Sequence, residues 1–288
     1  MTDAAPATAP LPEPRVGAPS MVRQLAAFVA IQAAATVFPF SVLAILAITL
    51  RVHVPGIYRY DLILLLCLLV QAAMVWTRLE TRDELKVICV FHVLGIGLEL
   101  YKTKMGSWAY PEPGWAKVGA VPLYSGFMYA SVASYMCQAW RRFDLHLAGW
   151  TRSAPVVATA ATIYGNFFSH HFLPDLRWVL TGVMCLLLVR ASVSFVVCGV
   201  RRRMPIVVAM LLIGLFVWIG ENAATFLGAW AYPNQTSGWR PVHIGKISSW
   251  ALLAVISFIV VAELKHVKRR RVCGGTPPDL HEPVGPAP

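Results

Sequence analysis

Charged residues are scarce in this 288-residue chain: Asp, Glu, Lys and Arg together make up 14% of it, and only 14 residues are acidic. Hydrophobic residues account for 57% and the mean hydropathy is +0.61, an apolar load that a water-soluble domain could not hide. Motifs of the common soluble chemistries are also missing: there is no phosphate-binding glycine loop, no HExxH, no Ser/His/Asp spacing pattern and no CxxC. The six cysteines are scattered, five of them inside apolar segments and none at metal-ligand spacing, so they read as reduced, buried small hydrophobes and no metal or other cofactor is expected. The net charge of +11 would suggest nucleic acid in a soluble protein. Here the cations fall at the ends of apolar segments, which makes anionic membrane lipid the expected partner and argues against nucleic acid.

Long apolar runs dominate what is present. They recur at 24–50, 61–77, 86–103, 121–140, 154–172, 177–200, 205–227 and 245–264, each bounded by charges, Pro or Gly. The expected fold class is therefore all-α, a polytopic membrane helix bundle of about eight transmembrane helices. Seven spans with one re-entrant or tilted element is the alternative, because the second and third runs are short for a bilayer. Of the 25 Lys and Arg residues, 16 lie on the N-terminal flank, at Arg78/Arg82/Lys86, at Arg141/Arg142/Arg152, at Arg201 to Arg203 and in the tail Lys265 to Arg271, against 8 in the other loops; Arg190 falls inside the sixth run. That asymmetry puts both termini in the cytoplasm and calls for an even number of spans. The Ala/Pro-rich segment 1–21 and the segment 269–288 read as disordered tails flanking a membrane domain over 22–268.

The chain also repeats itself. Glu99, Gly106, Trp108, Ala109, Tyr110 and Pro111 recur as Glu221, Gly228, Trp230, Ala231, Tyr232 and Pro233, every one displaced by 122 positions. This predicts two parallel four-helix repeats, about 22–145 and 146–268, related by an axis along the membrane normal. Both motif copies then lie at the non-cytoplasmic face.

Each glutamate sits near the end of an apolar run, where an ionisable group is costly unless it is paired or faces a cavity. Glu99 and Glu221 are thus the candidate catalytic residues; a purely structural carboxylate bonded to a neighbouring helix is the plainer alternative. Gly-x-Trp-x-Tyr-Pro reads as a helix stop with aromatics at the membrane interface. Read functionally, Trp108, Tyr110, Trp230 and Tyr232 line a pocket where they stack on a polyene or shield a cation. His92 and Lys102 share a helical stripe with Glu99, as Trp218 and Asn222 do with Glu221, and these complete the candidate ligand-binding set together with His170, His171, His243 and Lys246 at the same level. Adjacent histidines point in different directions along a helix, so His170 and His171 are not expected to hold a metal with the glutamates. Arg190, as a guanidinium inside an apolar run, needs an acceptor that its own run does not contain.

The segments Glu99 through Trp108-Ala-Tyr110-Pro111-Glu-Pro-Gly114-Trp115, Trp218-Ile-Gly-Glu221-Asn, Gly228-Ala-Trp230-Ala-Tyr232-Pro233 and Lys246-Ile-Ser-Ser-Trp250 resemble the bacterial multi-pass family named domain of unknown function 817, over about residues 22–268. The resemblance implies an integral membrane protein without an established activity, and the expected location is the bacterial cytoplasmic (inner) membrane. A weaker resemblance, carried by the order Glu99, Gly106, Trp108, Tyr110, Gly119 and Pro122, is to integral membrane lycopene cyclase and carotenoid hydratase domains. Those continue with paired glutamates, where this chain has Leu123-Tyr124-Ser125. It implies an isoprenoid or lipid ligand, with Glu99 or Glu221 as general acid if a reaction occurs. A proton-coupled small-solute transporter and a membrane sensor or scaffold are the rival expectations.

Overall fold

The computed structural model describes residues 19–149, 153–169, 172–255 and 257–258. The C-terminal tail, its basic stretch, most of the N-terminal tail, and His170 and His171 lie outside the described residues. Within them the chain is mostly helical: α1 (Met21–Ala35), α2 (Val37–Thr49), α3 (Arg59–Trp76), α4 (Arg82–Lys104), α5 (Gly126–Arg142), α6 (Ser153–Ser169), α7 (Arg177–Leu188) and α8 (Ile206–Phe226) are joined by α9 (Lys246–Val255). Strands β1 (Lys117–Val118) and β2 (Val121–Pro122) form a minimal ladder, while β3 (His146–Ala148), β4 (Ser192–Val197) and β5 (Val200–Pro205) form an antiparallel sheet in that order.

Local chemistry explains the helix bounds. Thr81 and Glu84 form a reciprocal capping box at the start of α4, which carries Asp83 and Glu84 in its first turn and Lys102 and Lys104 in its last, matching the helix dipole at both ends. The run at 24–50 is two helices, bent by 62°. Pro39 has no N–H to offer Ala35 in the previous turn, and the Thr36 hydroxyl bonds back to Gln32 and Ala33 carbonyls at the break.

Several expectations are corrected here. By length and apolar composition only α3 and α8 suffice to cross a membrane, or three spans if the bent α1–α2 pair counts as one, so about eight crossing helices is not what the described residues display. The third run is not short: α4 has 23 residues, about 34 Å at 1.5 Å per residue, and what sets it apart from α3 and α8 is its charge, with Arg82, Asp83, Glu84, Lys86, Glu99, Lys102 and Lys104 on one helix. The sixth run does not stay helical to residue 200. α7 stops at Leu188, and the β-branched stretch Ser192–Val197 turns back through Cys198 and Gly199, both with positive φ (50° and 75°), into β5 with Ser192 opposite Pro205. Arg190 therefore lies in an exposed turn outside any helix and needs no buried acceptor. Nor do the described residues of the two halves match element by element, since those of the first hold five α-helices and those of the second four with the β4–β5 hairpin among them.

α5 is the central helix, packed against α1, α2 and α4 and burying Phe127, Tyr129, Ala130, Ala133, Ser134, Met136, Cys137, Gln138 and Ala139 among others. Gly95 of α4 permits its closest approach: a Cβ there would lie 2.5 Å from the Tyr129 ring. α6 and α7 pack against each other, and the apolar cluster of Met136, Val156, Met184, Leu188, Met210 and Leu252 ties them to α5, α8 and α9.

Candidate functional site

α4 and α8 end in the same way. Gly106 and Gly228 both adopt φ +69°, a left-handed conformation that glycine takes without a Cβ penalty. Gly106 N–H donates to Thr103 O and Ser107 N–H to Lys102 O; Gly228 N–H donates to Thr225 O and Ala229 N–H to Ala224 O, so each helix closes in a Schellman turn. The chain then doubles back over the last turns of its own helix. Ala109 and Ala231 meet there as an isolated antiparallel bridge. This return brings each motif tyrosine onto its own glutamate: the Tyr110 hydroxyl donates to Glu99 Oε2 at 2.7 Å and the Tyr232 hydroxyl to Glu221 Oε1.

Two further donors complete the surroundings of Glu99, and one further donor those of Glu221. Glu99, 5% exposed, also accepts from Trp108 Nε1 at 2.6 Å and from the Tyr129 hydroxyl at 2.8 Å. Glu221, 4% exposed, accepts from Trp250 Nε1 at 2.6 Å. Burial, with the neighbouring carboxylates, raises the Tyr110 and Tyr232 hydroxyls well above the usual tyrosine range, so both remain donors at physiological pH. Lys246, at the start of α9, reaches across the pair: its Nζ lies 4.8 Å from the Tyr232 ring centroid and 5.5 Å from that of Trp108, and 3.4 Å from the Tyr232 hydroxyl. The Trp108 and Tyr232 rings, one from each motif, meet edge to face at 5.9 Å.

Both glutamates border a chamber of about 910 Å³ that runs through the bundle. Its walls are predominantly apolar side chains of α1, α2, α5, α6, α8 and α9; on α8 they extend from Ala209 to Ala224, about 22 Å along the axis at 1.5 Å per residue. Trp108, Trp230, Tyr232, Lys246 and Trp250 share its polar end with Glu99 and Glu221.

The sequence matches the family described as "Protein of unknown function (DUF817)" over residues 24–258. The chain belongs to that family. It is 52% identical to "Uncharacterized protein YoaT" of Bacillus subtilis (strain 168) over 249 residues, which covers 86% of this chain and 94% of that protein. No solved structure matches it.

Other expected site residues of this DUF817 member stand apart from the chamber. His92 packs on Gly126 and edge-on to Phe127, with its ring centroid 4.6 Å from that of Phe127. Lys102 is buried, but its Nζ donates to Phe167 O at 2.7 Å and sits on the Phe167 ring, facing α6. Trp218 Nε1 donates to Val242 O, and Asn222 takes the Val242 N–H on its side-chain oxygen, so this pair fastens the segment before α9. His243 is exposed and its Nδ1 accepts from Gly245 N–H. Among the described residues no group of three His, Cys, Asp or Glu could hold a metal ion.

Sequence reasoning missed Tyr129 and Trp250, whose roles depend on α5 and α9 packing beside α4 and α8. A signal existed: they are 121 positions apart, within one of the motif offset. It also missed Arg59, whose guanidinium joins Glu112 Oε1 at 2.6 Å to the Leu227, Gly228 and Leu46 carbonyls and so clamps the second motif turn against α2 and α3.

Proposed function

We propose that this protein is a membrane-embedded binding protein for an isoprenoid or another long-chain lipid, held in the chamber with its polar end at Glu99 and Glu221. One observation carries the reading: a single apolar chamber of about 910 Å³ ends at both motif carboxylates and their aromatic partners. Pockets of this size with apolar walls and a few convergent polar groups are typical of small-molecule sites. The membrane setting is supported by the apolar α3 and α8, by the mean hydropathy of +0.61 and by exposed large side chains such as Leu68, Leu69, Val93, Leu186 and Phe216. The Lys/Arg distribution favours a bacterial inner-membrane protein with both termini in the cytoplasm and the motif turns at the opposite face. Anionic lipid then contacts the basic cytoplasmic ends. The matching turns of α4 and α8 support a site built from two half-sites, with Glu99 and Glu221 as its polar residues.

The test is lipid extraction and mass spectrometry on purified wild type and on Ala209→Trp, which places an indole in the chamber wall. An isoprenoid or other long-chain lipid that copurifies with wild type and is lost from a folded Ala209→Trp protein supports the reading. The same lipid at the same stoichiometry in both would remove the chamber as its site.

A further inference from the structure

The charges on the chamber wall run opposite to those of the protein as a whole. The chain carries 25 Lys and Arg against 14 Asp and Glu. Yet among the described residues lining the chamber the acids are Glu99, Asp175 and Glu221, and Lys246 is the one Lys, Arg or His. A lipid with an anionic head would have to place that charge beside two buried carboxylates, with a single ammonium to offset the repulsion.

The hydrogen-bond inventory points the same way. A carboxylate oxygen has two lone-pair positions, and Glu99 Oε1, Glu221 Oε1 and Glu221 Oε2 each receive one donor from the protein, from Tyr129, Tyr232 and Trp250 respectively. The openings at this end of the chamber are therefore positions for a donor. Lys246 shows what the same wall accommodates: an ammonium seated on the Trp108 and Tyr232 faces. Trp230 and Trp250 add further aromatic surface beside it.

Resting on the chamber reading above, we infer that the bound lipid carries a protonated amine head, which donates to Glu99 and Glu221 while its apolar tail fills the channel along α8. A head of that kind brings donors and one positive charge to a site with a surplus of acceptors and of negative groups, and its desolvation is offset by ion pairing and by the aromatic faces.

Binding of three probes that share one 16-carbon chain, hexadecylamine, hexadecanol and hexadecanoate, to the full-length protein in nanodiscs separates the possibilities. The amine is expected to bind at least about tenfold more tightly than the alcohol, the gain from one additional buried charge contact, with hexadecanoate weakest. In the Glu99→Gln, Glu221→Gln double variant the preference for the amine over the alcohol disappears while alcohol binding persists. Each single variant, keeping one carboxylate, reduces the preference partly and serves if the double variant does not fold. Ala209→Trp abolishes binding of all three. Equal or tighter binding of the alcohol or of hexadecanoate by wild type, with Ala209→Trp still inactive, overturns the amine head and leaves the chamber in place. Binding of no probe to wild type, or binding unaffected by Ala209→Trp, overturns both.

Discussion

Ala109 and Ala231, 122 residues apart in the chain, exchange two backbone hydrogen bonds, each N–H donating to the other's carbonyl at 2.9 Å. Because each alanine stands between the Trp and Tyr of its own motif, this one bridge sets the spacing of the two aromatic pairs and, through Tyr110 and Tyr232, of the two glutamates. Ala231→Pro removes one N–H of the bridge. It is expected to cost about 1–3 kcal/mol, the usual penalty for leaving a carbonyl unpaired at such a site, and to lower the melting temperature followed by tryptophan fluorescence.

The turn glycines differ in what surrounds them. Gly106 has open space where a Cβ would go, so Gly106→Ala adds only the left-handed backbone penalty, about 1–2 kcal/mol. A Cβ on Gly228 would in addition lie 3.4 Å from Arg59 Nη1. That is ordinary van der Waals contact, so Gly228→Ala is expected to lose about the same 1–2 kcal/mol as Gly106→Ala in thermal unfolding; a much larger loss would mean that the Arg59 clamp leaves no room for a methyl group.

Arg59 is a part-buried guanidinium with acceptors on three sides. Replacing it by Met leaves Glu112 without its ion-pair partner and the Leu227 and Gly228 carbonyls without their donor, a loss expected at about 1–3 kcal/mol. Lys does not restore it, because a point ammonium cannot span the positions held by Nε, Nη1 and Nη2. Chemical denaturation of Arg59→Lys and Arg59→Met measures both effects, and full stability in the Lys variant would contradict the clamp.

Glu80, between α3 and α4, is 2% exposed and accepts hydrogen bonds from Ser134 and Gln71. Burial pushes its carboxyl pKa upward, outweighing the hydrogen bonds that pull it down. A carboxyl with a raised folded-state pKa favours the folded protein most when protonated: its contribution is complete below the unfolded value of about 4.3 and is lost as pH rises through the folded value. Glu80→Gln keeps a neutral side chain of the same shape at every pH. The difference in melting temperature between Glu80→Gln and wild type is expected to grow in favour of the variant from pH 4 to pH 8; a constant difference would show that Glu80 does not titrate on unfolding.

The helical character of the chain and the extents of α3 and α8 were legible in the amino-acid order, because long apolar runs bounded by charge allow little else. That order also determined the duplicated motif, and with it Glu99, Glu221 and the Gly-x-Trp-x-Tyr turns, since helix stops are written in local chemistry. The course of the chain after Leu188 was less legible: an apolar stretch serves a strand as well as a helix, and the Cys198–Gly199 turn decides only once β4 can pair with β5 and β3. Tertiary structure alone decided which stripe residues face the chamber. His92, Lys102, Trp218 and Asn222 share a helical side with the glutamates, yet each is engaged by a neighbouring element, whereas Tyr129 and Trp250 come in from other helices. A residue's position on a helix follows from a period of 3.6, but what it meets depends on which helix packs there, and those contacts are set by segments distant in the chain.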